Sequence, residues 1–257
     1  MSIFNGHATL RNGLLSAFKF DEPSGARFDA WGTNHLANNN GVTSVAGKNG
    51  NAASFAAASS QYLSLADSAT TVWGEDGNGV SVSVWVKPRG NPIGYAHIFG
   101  RDNADGHFAV FLDFNSMASA WLAFNAGTQI EESFATGFSA GNWYHLRASF
   151  DPADKKMRIY RNNALIKTSA AGAGASLVAQ SSPFVIGKRL GGYANIDVDE
   201  MLIYSRPLTS QEGTDLWTGG SGLFLGDPEI ARFRFDREGC PAVSRLTNVA
   251  LMTGQGD

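Results

Sequence analysis

The chain has 257 residues, of which 43% are hydrophobic and 17% are charged, and its formal net charge is −3. A chain of this length holds one large β domain or two small ones. Neither a basic stripe nor a Lys/Arg run is present, which argues against nucleic acid and anionic membrane surfaces as partners. The 30 glycines suit a protein with many turns and favour an all-β fold.

The single cysteine, Cys240, cannot form an intramolecular disulfide, so folding does not depend on an oxidising compartment. We interpret it as a structural thiol in a turn between Gly239 and Pro241. The N-terminus lacks the charged start and apolar run of a secretory signal, and no stretch is apolar for long enough to span a membrane. We therefore expect synthesis in the cytosol.

Short segments with the two-residue period of a β-strand recur about every ten residues, and few helical patterns separate them. The clearest is Val80 to Lys87, in which four valines share one face. Residues 27–50 predict a long loop with short edge strands. The other predicted strands are Leu14–Phe20, Ala53–Phe55, Tyr62–Leu65, Ala96–Phe99, Phe108–Phe114, Ala120–Phe124, Trp143–Phe150, Met157–Arg161, Ala164–Lys167, Phe184–Gly187 and Ile196–Tyr204.

Two local signals mark turns and ends. Asn162-Asn163 predicts a tight hairpin, and Thr209 to Glu212 predicts a helix that begins with a capping box. The run of glycines at 219–222 then ends the domain. The predicted organisation is an N-terminal arm at 1–13, one antiparallel β-sandwich domain with a short helix at 14–220, and a C-terminal extension at 221–257. The core face of the central strand is predicted to carry Tyr144, Leu146, Ala148 and Phe150.

Several spaced pieces, taken in order, resemble the laminin-G-like, concanavalin A-like jelly-roll family over residues 14–217. They include Phe18-Lys19-Phe20-Asp21, Gly47 to Phe55, Ser83-Val84-Trp85-Val86-Lys87-Pro88, Trp143-Tyr144-His145, Arg158-Ile159-Tyr160, and Val198-Asp199-Glu200 through Tyr204-Ser205-Arg206-Pro207-Leu208 to Glu212. The resemblance implies a sandwich of two curved antiparallel sheets, a binding or adhesion role, and often one calcium ion. The chain departs from the family at Asn163, where Gly is usual, and at Ala56-Ala57-Ala58, where a carboxylate is usual.

If Asp29 and Asp199 come together as the resemblance implies, their carboxylates and nearby carbonyls supply the oxygen ligands that calcium needs. The alternative is that each aspartate caps its own loop. Calcium is thus the cofactor that we predict.

Four aromatic residues in predicted loops are candidates for ligand binding, because a flat ring stacks on the apolar face of a sugar. They are Trp31, Trp73, Tyr95 and Tyr193. The alternative is that they fold back over the core as plugs.

Catalysis has one candidate, the run Asp197-Val198-Asp199-Glu200 on a predicted strand. Asp197 and Asp199 share a face there, whereas Glu200 is predicted to point the other way. Glu131 and Glu132 are adjacent and therefore on opposite faces. No histidine pair has metal-type spacing, so the five histidines are interpreted as packed or surface residues. We predict no catalytic residues and no enzyme activity.

The sequence from Phe233 to Gly239 is similar to that of the first strand, and this similarity predicts a strand that pairs with a sheet edge of this chain or of another copy. Phe233 and Phe235 are the predicted self-association residues. The alternative is a remnant of a lost repeat.

The sequence predicts a non-catalytic binding or structural module, most concretely a phage virion surface protein that associates with its assembly and touches host glycans. The rival classes are a free carbohydrate-binding protein and a glycan-cleaving enzyme.

Overall fold

Two antiparallel β-sheets pack face to face around one hydrophobic core. The computed structural model describes residues 8–68, 70–71, 73–102, 111–114, 116–179 and 181–223, all within one compact unit. Cys240, Phe233, Phe235 and the C-terminal extension beyond residue 223 lie outside the described residues. The all-β jelly-roll fold predicted from the sequence is confirmed.

The first sheet has eight strands in the order β13-β12-β11-β6-β17-β4-β3, with β1 added beside β17. Strand β17 pairs with β4 along its first half and with β1 along its second half. The strands are β1 Leu14–Phe18, β3 Thr43–Ala46, β4 Asn51–Phe55, β6 Val80–Pro88, β11 Tyr144–Asp151, β12 Lys156–Arg161, β13 Ala164–Thr168 and β17 Ile196–Tyr204.

The second sheet has seven strands in the order β10-β9-β8-β7-β14-β5-β2. These strands are β2 Ala37–Asn39, β5 Tyr62–Leu65, β7 Ala96–Arg101, β8 Phe111–Phe114, β9 Ser119–Asn125, β10 Gln129–Ala135 and β14 Phe184–Ile186. A separate two-stranded hairpin is formed by β15 Lys188–Arg189 and β16 Gly192–Tyr193. The helices are α1 at Ser210–Trp217 and short 3-10 turns at Ala8–Arg11, Ala57–Ser59 and Thr218–Gly220.

The core lies between the two sheets and is filled by the inward faces of their strands. The four valines of β6 are buried in it, as are Leu146, Ala148 and Phe150 of β11, while Tyr144 is half-buried against it. Because alternate residues of a strand point to one face, these side chains were predictable from spacing alone. Their burial confirms the core predicted for the central strand.

Local chemistry shapes the turns and the helix as expected. Asn162 and Asn163 adopt the left-handed φ values of 49° and 64° between β12 and β13, a conformation that asparagine tolerates better than most residues. In α1, Thr209 Oγ1 accepts from the Glu212 amide while the Glu212 carboxylate accepts from the Thr209 amide, which is the predicted capping box. Arg206 also donates to both Glu212 oxygens, and this pairing ties the helix start to the preceding loop.

Two features of the sheets differ from the sequence prediction. Strand β10 was not predicted, because its sequence places the polar Gln129, Glu131 and Ser133 on an exposed edge where no hydrophobic alternation is needed. In β17 the pairing shifts between Asp199 and Leu202, and Glu200 takes a φ of 47°. Across the described ranges, no helix combines the length and apolar character that crossing a bilayer requires.

Candidate functional site

The outer face of the seven-stranded sheet carries an aromatic and a charged residue on β9 and β10, the two strands at one edge of the sheet. Phe124 on β9 and Ile130 on β10 pack toward the core, so strand alternation turns Trp121 and Glu131 outward. Trp121 lies opposite Ser133 in the register of the two strands. Glu131, two residues away, is therefore a diagonal neighbour of Trp121, within reach of a long side chain.

The β15–β16 hairpin also borders this face, and its two sides differ. Lys188 pairs with Tyr193, and Arg189 pairs with Gly192. Because adjacent residues in a strand point to opposite sides, Lys188 and Tyr193 share one side and Arg189 points to the other. A Cβ atom on Gly192 would lie 1.8 Å from the carbonyl oxygen of Tyr95. The Arg189 side of the hairpin thus packs closely against the Tyr95 backbone, and only glycine fits at the contact.

These elements enclose a cavity of about 180 Å³ lined by Tyr95, Trp121, Glu131 and Arg189. The Tyr95 side chain is 51% exposed, and the guanidinium carbon of Arg189 lies 5.9 Å from the centre of its ring. Among the described residues, the lining therefore combines two aromatic rings with a cationic hydrogen-bond donor and a carboxylate acceptor.

Asp102, just after β7, fastens the hairpin to the sheet. Its Oδ1 accepts from the Leu190 amide at 2.7 Å, and its Oδ2 forms an ion pair with Lys188. The backbones of Ile93 and Tyr193 also exchange two hydrogen bonds of 2.9 Å. The hairpin is thus attached at its turn and along its second strand, and these contacts fix the position of Arg189.

The buried imidazole of His97 lies on β7 next to the hairpin. Its Nε2 donates to the Arg101 carbonyl at 3.0 Å, and its own carbonyl accepts from the Gly187 amide at 2.8 Å. Burial, followed by the positive charge of Arg189, lowers the pKa of His97 to about 3. His97 is therefore neutral at physiological pH, and its packed position agrees with the sequence interpretation.

Two of the four predicted ligand-binding aromatics lie at this hairpin. Tyr95 lines the cavity, and Tyr193 belongs to β16 and pairs with Ile93. The structure therefore brings Tyr95 and Tyr193 into one region, although on different sides of the hairpin.

The two tryptophans are placed elsewhere. Trp73 is only 3% exposed and packs edge-on against Phe184 at 4.8 Å, so the prediction that it binds ligand is wrong: it is a core plug. Trp31 is half-buried, and its Nε1 donates to the Leu14 carbonyl at 2.9 Å. That bond holds the indole against β1, away from the cavity-lining residues.

The two predicted calcium ligands each cap a different loop. Oδ1 of Asp29 accepts from the amides of Ala17, Trp31 and Gly32, and its Oδ2 accepts from the amide of Asn34. Oδ2 of Asp199 accepts from the amides of Lys48 and Asn49, and its Oδ1 accepts from the amide of Glu200.

Backbone N–H groups around an oxygen repel a cation, and the two carboxylates share no partner among these bonds. Within the described ranges, no three His, Cys, Asp or Glu residues converge as a metal site. The geometry fits loop capping, the alternative weighed from the sequence, and does not fit a calcium ion shared by Asp29 and Asp199. Burial nevertheless raises the pKa of Asp199 to about 7, despite its three amide donors.

The Asp197–Glu200 run, the candidate for catalysis in the sequence, lies on the other sheet, where its carboxylates have structural partners. Asp197 forms ion pairs with Lys87 at 2.8 Å and Arg89 at 3.0 Å, and it accepts from the Ser54 hydroxyl at 2.6 Å. It is almost completely buried. A carboxylate held this way is not available to protonate or attack a substrate.

Glu200 departs from the predicted alternation. The shift in β17 turns its side chain toward the loop that Asp199 caps, where Glu200 Oε1 accepts from the Asn49 side chain at 2.9 Å. The prediction that Glu200 points to the opposite side from Asp199 is therefore wrong, because a bulge resets the two-residue period of a strand.

Comparison with known proteins identifies the class to which this protein belongs. The chain belongs to the concanavalin A-like lectin/glucanases superfamily: the Laminin_G_3 model of that superfamily matches residues 55–212, more than half of the 257 residues. The matched range includes the four described cavity-lining residues and both strands of the hairpin. No curated protein sequence matches the chain.

Several solved structures share the fold. Domain 4 of AbnA, a GH43 extracellular arabinanase from Geobacillus stearothermophilus solved with arabinotriose, has a TM-score of 0.58 and 22% identity, covering 79% of this chain and 97% of that domain. A structure of botulinum neurotoxin type C, whose cell entry depends on two ganglioside molecules, has a TM-score of 0.64 and 11% identity over 84% of this chain. Trypanosoma rangeli sialidase with the inhibitor DANA has a TM-score of 0.60 and 13% identity over 81% of this chain.

At these identities the likeness shows the fold alone. The chain spans 53% of the neurotoxin chain and 33% of the sialidase chain. The fold thus occurs both in binding domains and within enzymes, and the side chains of this protein must decide between them.

Sequence reasoning did not single out Trp121 or Arg189, and it weighed Glu131 only as a catalytic carboxylate and not as a ligand-binding residue. One signal was present: Lys188-Arg189-Leu190-Gly191-Gly192-Tyr193 has the glycines of a hairpin turn between alternating charged and aromatic residues. Trp121 and Glu131 carried no such signal, because the two residues meet only through the pairing of β9 with β10.

Proposed function

We propose that this protein is a non-catalytic carbohydrate-binding module whose sugar site is the cavity beside the β15–β16 hairpin. The observation that carries the proposal is the convergence of Tyr95, Trp121, Glu131 and Arg189 around one cavity of about 180 Å³.

The chemistry of the four side chains matches that of a sugar. The C–H face of a pyranose is apolar and packs on aromatic rings such as those of Tyr95 and Trp121. Its hydroxyls both donate and accept, so Glu131 accepts from one while Arg189 donates to another. Hydrogen bonds to charged groups are stronger than those between neutral groups, which favours these two contacts.

The same site argues against hydrolysis. Glycosidases generally need two carboxyl groups about 5–9.5 Å apart at the scissile bond. Among the side chains that the structure describes, Glu131 is the one carboxylate lining the cavity. The Asp197–Glu200 run lies on the other sheet, and its side chains are committed to loops and ion pairs. These placements favour binding over cleavage.

A glycan array probed with the wild type, Trp121→Ala and Arg189→Ala tests this proposal. We expect the wild type to bind a defined set of glycans and each variant to lose at least about tenfold in affinity, since one aromatic or charged contact contributes about 1.5 kcal/mol. Trp143→Ala is a matched control, because Trp143 stacks under Lys87 on the opposite sheet.

Absence of glycan binding by the folded wild type, or unchanged binding by both site variants, would refute the proposed site. Release of reducing sugar from a bound glycan would instead support the glycan-cleaving alternative.

We also propose the narrower setting expected from the sequence, a phage virion surface protein that joins its assembly after cytosolic synthesis. Its support is the strand-like sequence around Phe233 and Phe235, which is suited to pairing with another copy and lies outside the described residues. Deleting residues 223–257 should lower the mass of the particle measured by light scattering. Electron microscopy that shows only dispersed single copies of the full chain would contradict this setting.

A further inference from the structure

We propose a second sugar subsite on the opposite side of the β15–β16 hairpin, formed by Tyr62, Tyr193 and Asn39. This inference rests on the proposed function and extends it: a ligand that fills both subsites is an oligosaccharide rather than a single sugar.

The position of Tyr62 follows from strand alternation. Leu63 on β5 is buried in the core, so Tyr62 and Ser64 on either side of it face outward. Asn39 on β2 lies directly opposite Tyr62 in the register, and its amide donates to the Ser64 hydroxyl at 2.9 Å. An aromatic ring therefore has an amide and a hydroxyl beside it on one face of the sheet.

The hairpin adds a second ring and a cation to this group. The rings of Tyr62 and Tyr193 lie 6.3 Å apart at an angle of 46°, and the ammonium of Lys188 lies 4.9 Å from the centre of the Tyr62 ring. Both tyrosines are half-buried, so part of each ring reaches the surface. Ring faces beside amide and hydroxyl groups are the elements that recognise a sugar.

The Tyr62 cluster and the cavity at Tyr95 lie on opposite sides of the hairpin. Arg189 lies near the Tyr95 ring on one side, and Lys188 lies near the Tyr62 ring on the other, because neighbouring residues of a strand alternate sides. Because the two clusters lie on opposite sides of the hairpin, a ligand that reaches both presents a different sugar unit to each. Leu190, in the turn between β15 and β16, is 47% exposed.

The test is chain-length dependence of affinity, measured by NMR titration with gluco-, xylo-, arabino- and galacto-oligosaccharides of one to six units. We expect the wild type to bind the longer members of one series at least about tenfold more tightly than the monosaccharide. Tyr62→Ala should remove that gain, a loss of about tenfold for one stacking contact, and leave monosaccharide affinity unchanged. Tyr62→Phe, which keeps the ring, should retain the gain.

Asn39→Ala serves as a second variant with intact aromatic packing, and it should also weaken only the longer ligands. Trp143→Ala on the other sheet should change nothing. The inference is overturned if Tyr62→Ala and Asn39→Ala keep the full chain-length gain, or if they weaken the monosaccharide and the longest ligand equally. Failure of the proposed function looks different: Trp121→Ala and Arg189→Ala would then leave every ligand unaffected, or no sugar would bind at all.

Discussion

Replacing Asp102 with alanine should release the β15–β16 hairpin while leaving the sandwich folded. Asp102 accepts the Leu190 amide at 2.7 Å and pairs with Lys188. A hydrogen bond to a charged group contributes about 2 kcal/mol, and a partly exposed ion pair adds up to about 1 kcal/mol. The free energy of local opening should therefore fall by about 3 kcal/mol, which corresponds to roughly 100-fold faster amide exchange.

Hydrogen exchange followed by NMR measures this effect at the amides of Leu190 and Tyr193. Lys188→Met is the matched comparison, because it removes the ion pair but keeps the Leu190 hydrogen bond. For that variant the loss of up to about 1 kcal/mol predicts at most about fivefold faster exchange. The amides of β6 and β11, which lie in the other sheet, should be unchanged in both variants.

Two outcomes would refute this reasoning. If Asp102→Ala accelerates exchange no more than Lys188→Met, the carboxylate does not fasten the turn. If exchange accelerates equally throughout both sheets, Asp102 supports global stability rather than the hairpin.

Three further predictions concern buried carboxylates. Burial raises the pKa of Asp199 to about 7, so the protonated carboxyl stabilises the fold fully below pH 4, and this stabilisation, up to about 4 kcal/mol, is lost as the pH rises to about 7. In urea unfolding across this range, the free energy of unfolding should fall less with pH for Asp199→Asn than for the wild type. An equal fall in the two proteins would contradict the raised pKa. Burial alone would raise the pKa of Glu212, but the hydrogen bonds from Arg206 and Thr209 outweigh burial and lower the pKa to about 2. The ionised Glu212 therefore stabilises the fold above pH 4.5, and this stabilisation is lost as the pH falls through 2. Glu212→Gln should reduce the drop in melting temperature at acid pH, and an unchanged drop would rule out the lowered pKa. Because amides surround Asp29 and Asp199, millimolar Ca²⁺ should not raise the melting temperature over that in EDTA, whereas a rise abolished by Asp29→Asn would restore the calcium prediction.

Much of the fold was predictable because its signals are local. The valines of β6 and the alternating residues of β11 repeat with the period of a strand, and the Thr209–Glu212 capping box needs only four consecutive residues. Strand β10 was missed, because an edge strand with one exposed face can be polar and then shows no hydrophobic pattern.

The candidate site was predicted only in part. Loop aromatics beside glycine are a local signal that selected Tyr95 and Tyr193, and Tyr95 lines the cavity. The same signal also selected Trp73, which is buried against Phe184. Sequence neighbours do not tell whether a loop folds over the core or away from it. Trp121 could be assigned to the site only from the register of β9 and β10.

The sequence by itself determined most of the strands, the Asn162-Asn163 turn, the capping box and the class of fold, because each depends on side-chain period or on contacts within a few residues. The tertiary structure alone decided which residues meet: Arg189 with Tyr95, Lys188 with Tyr62, and Asp199 with a loop 150 residues away in sequence. Those contacts depend on strand order and on the bulge at Glu200. A binding site in an antiparallel sandwich is assembled across strands, so local sequence pattern cannot specify it.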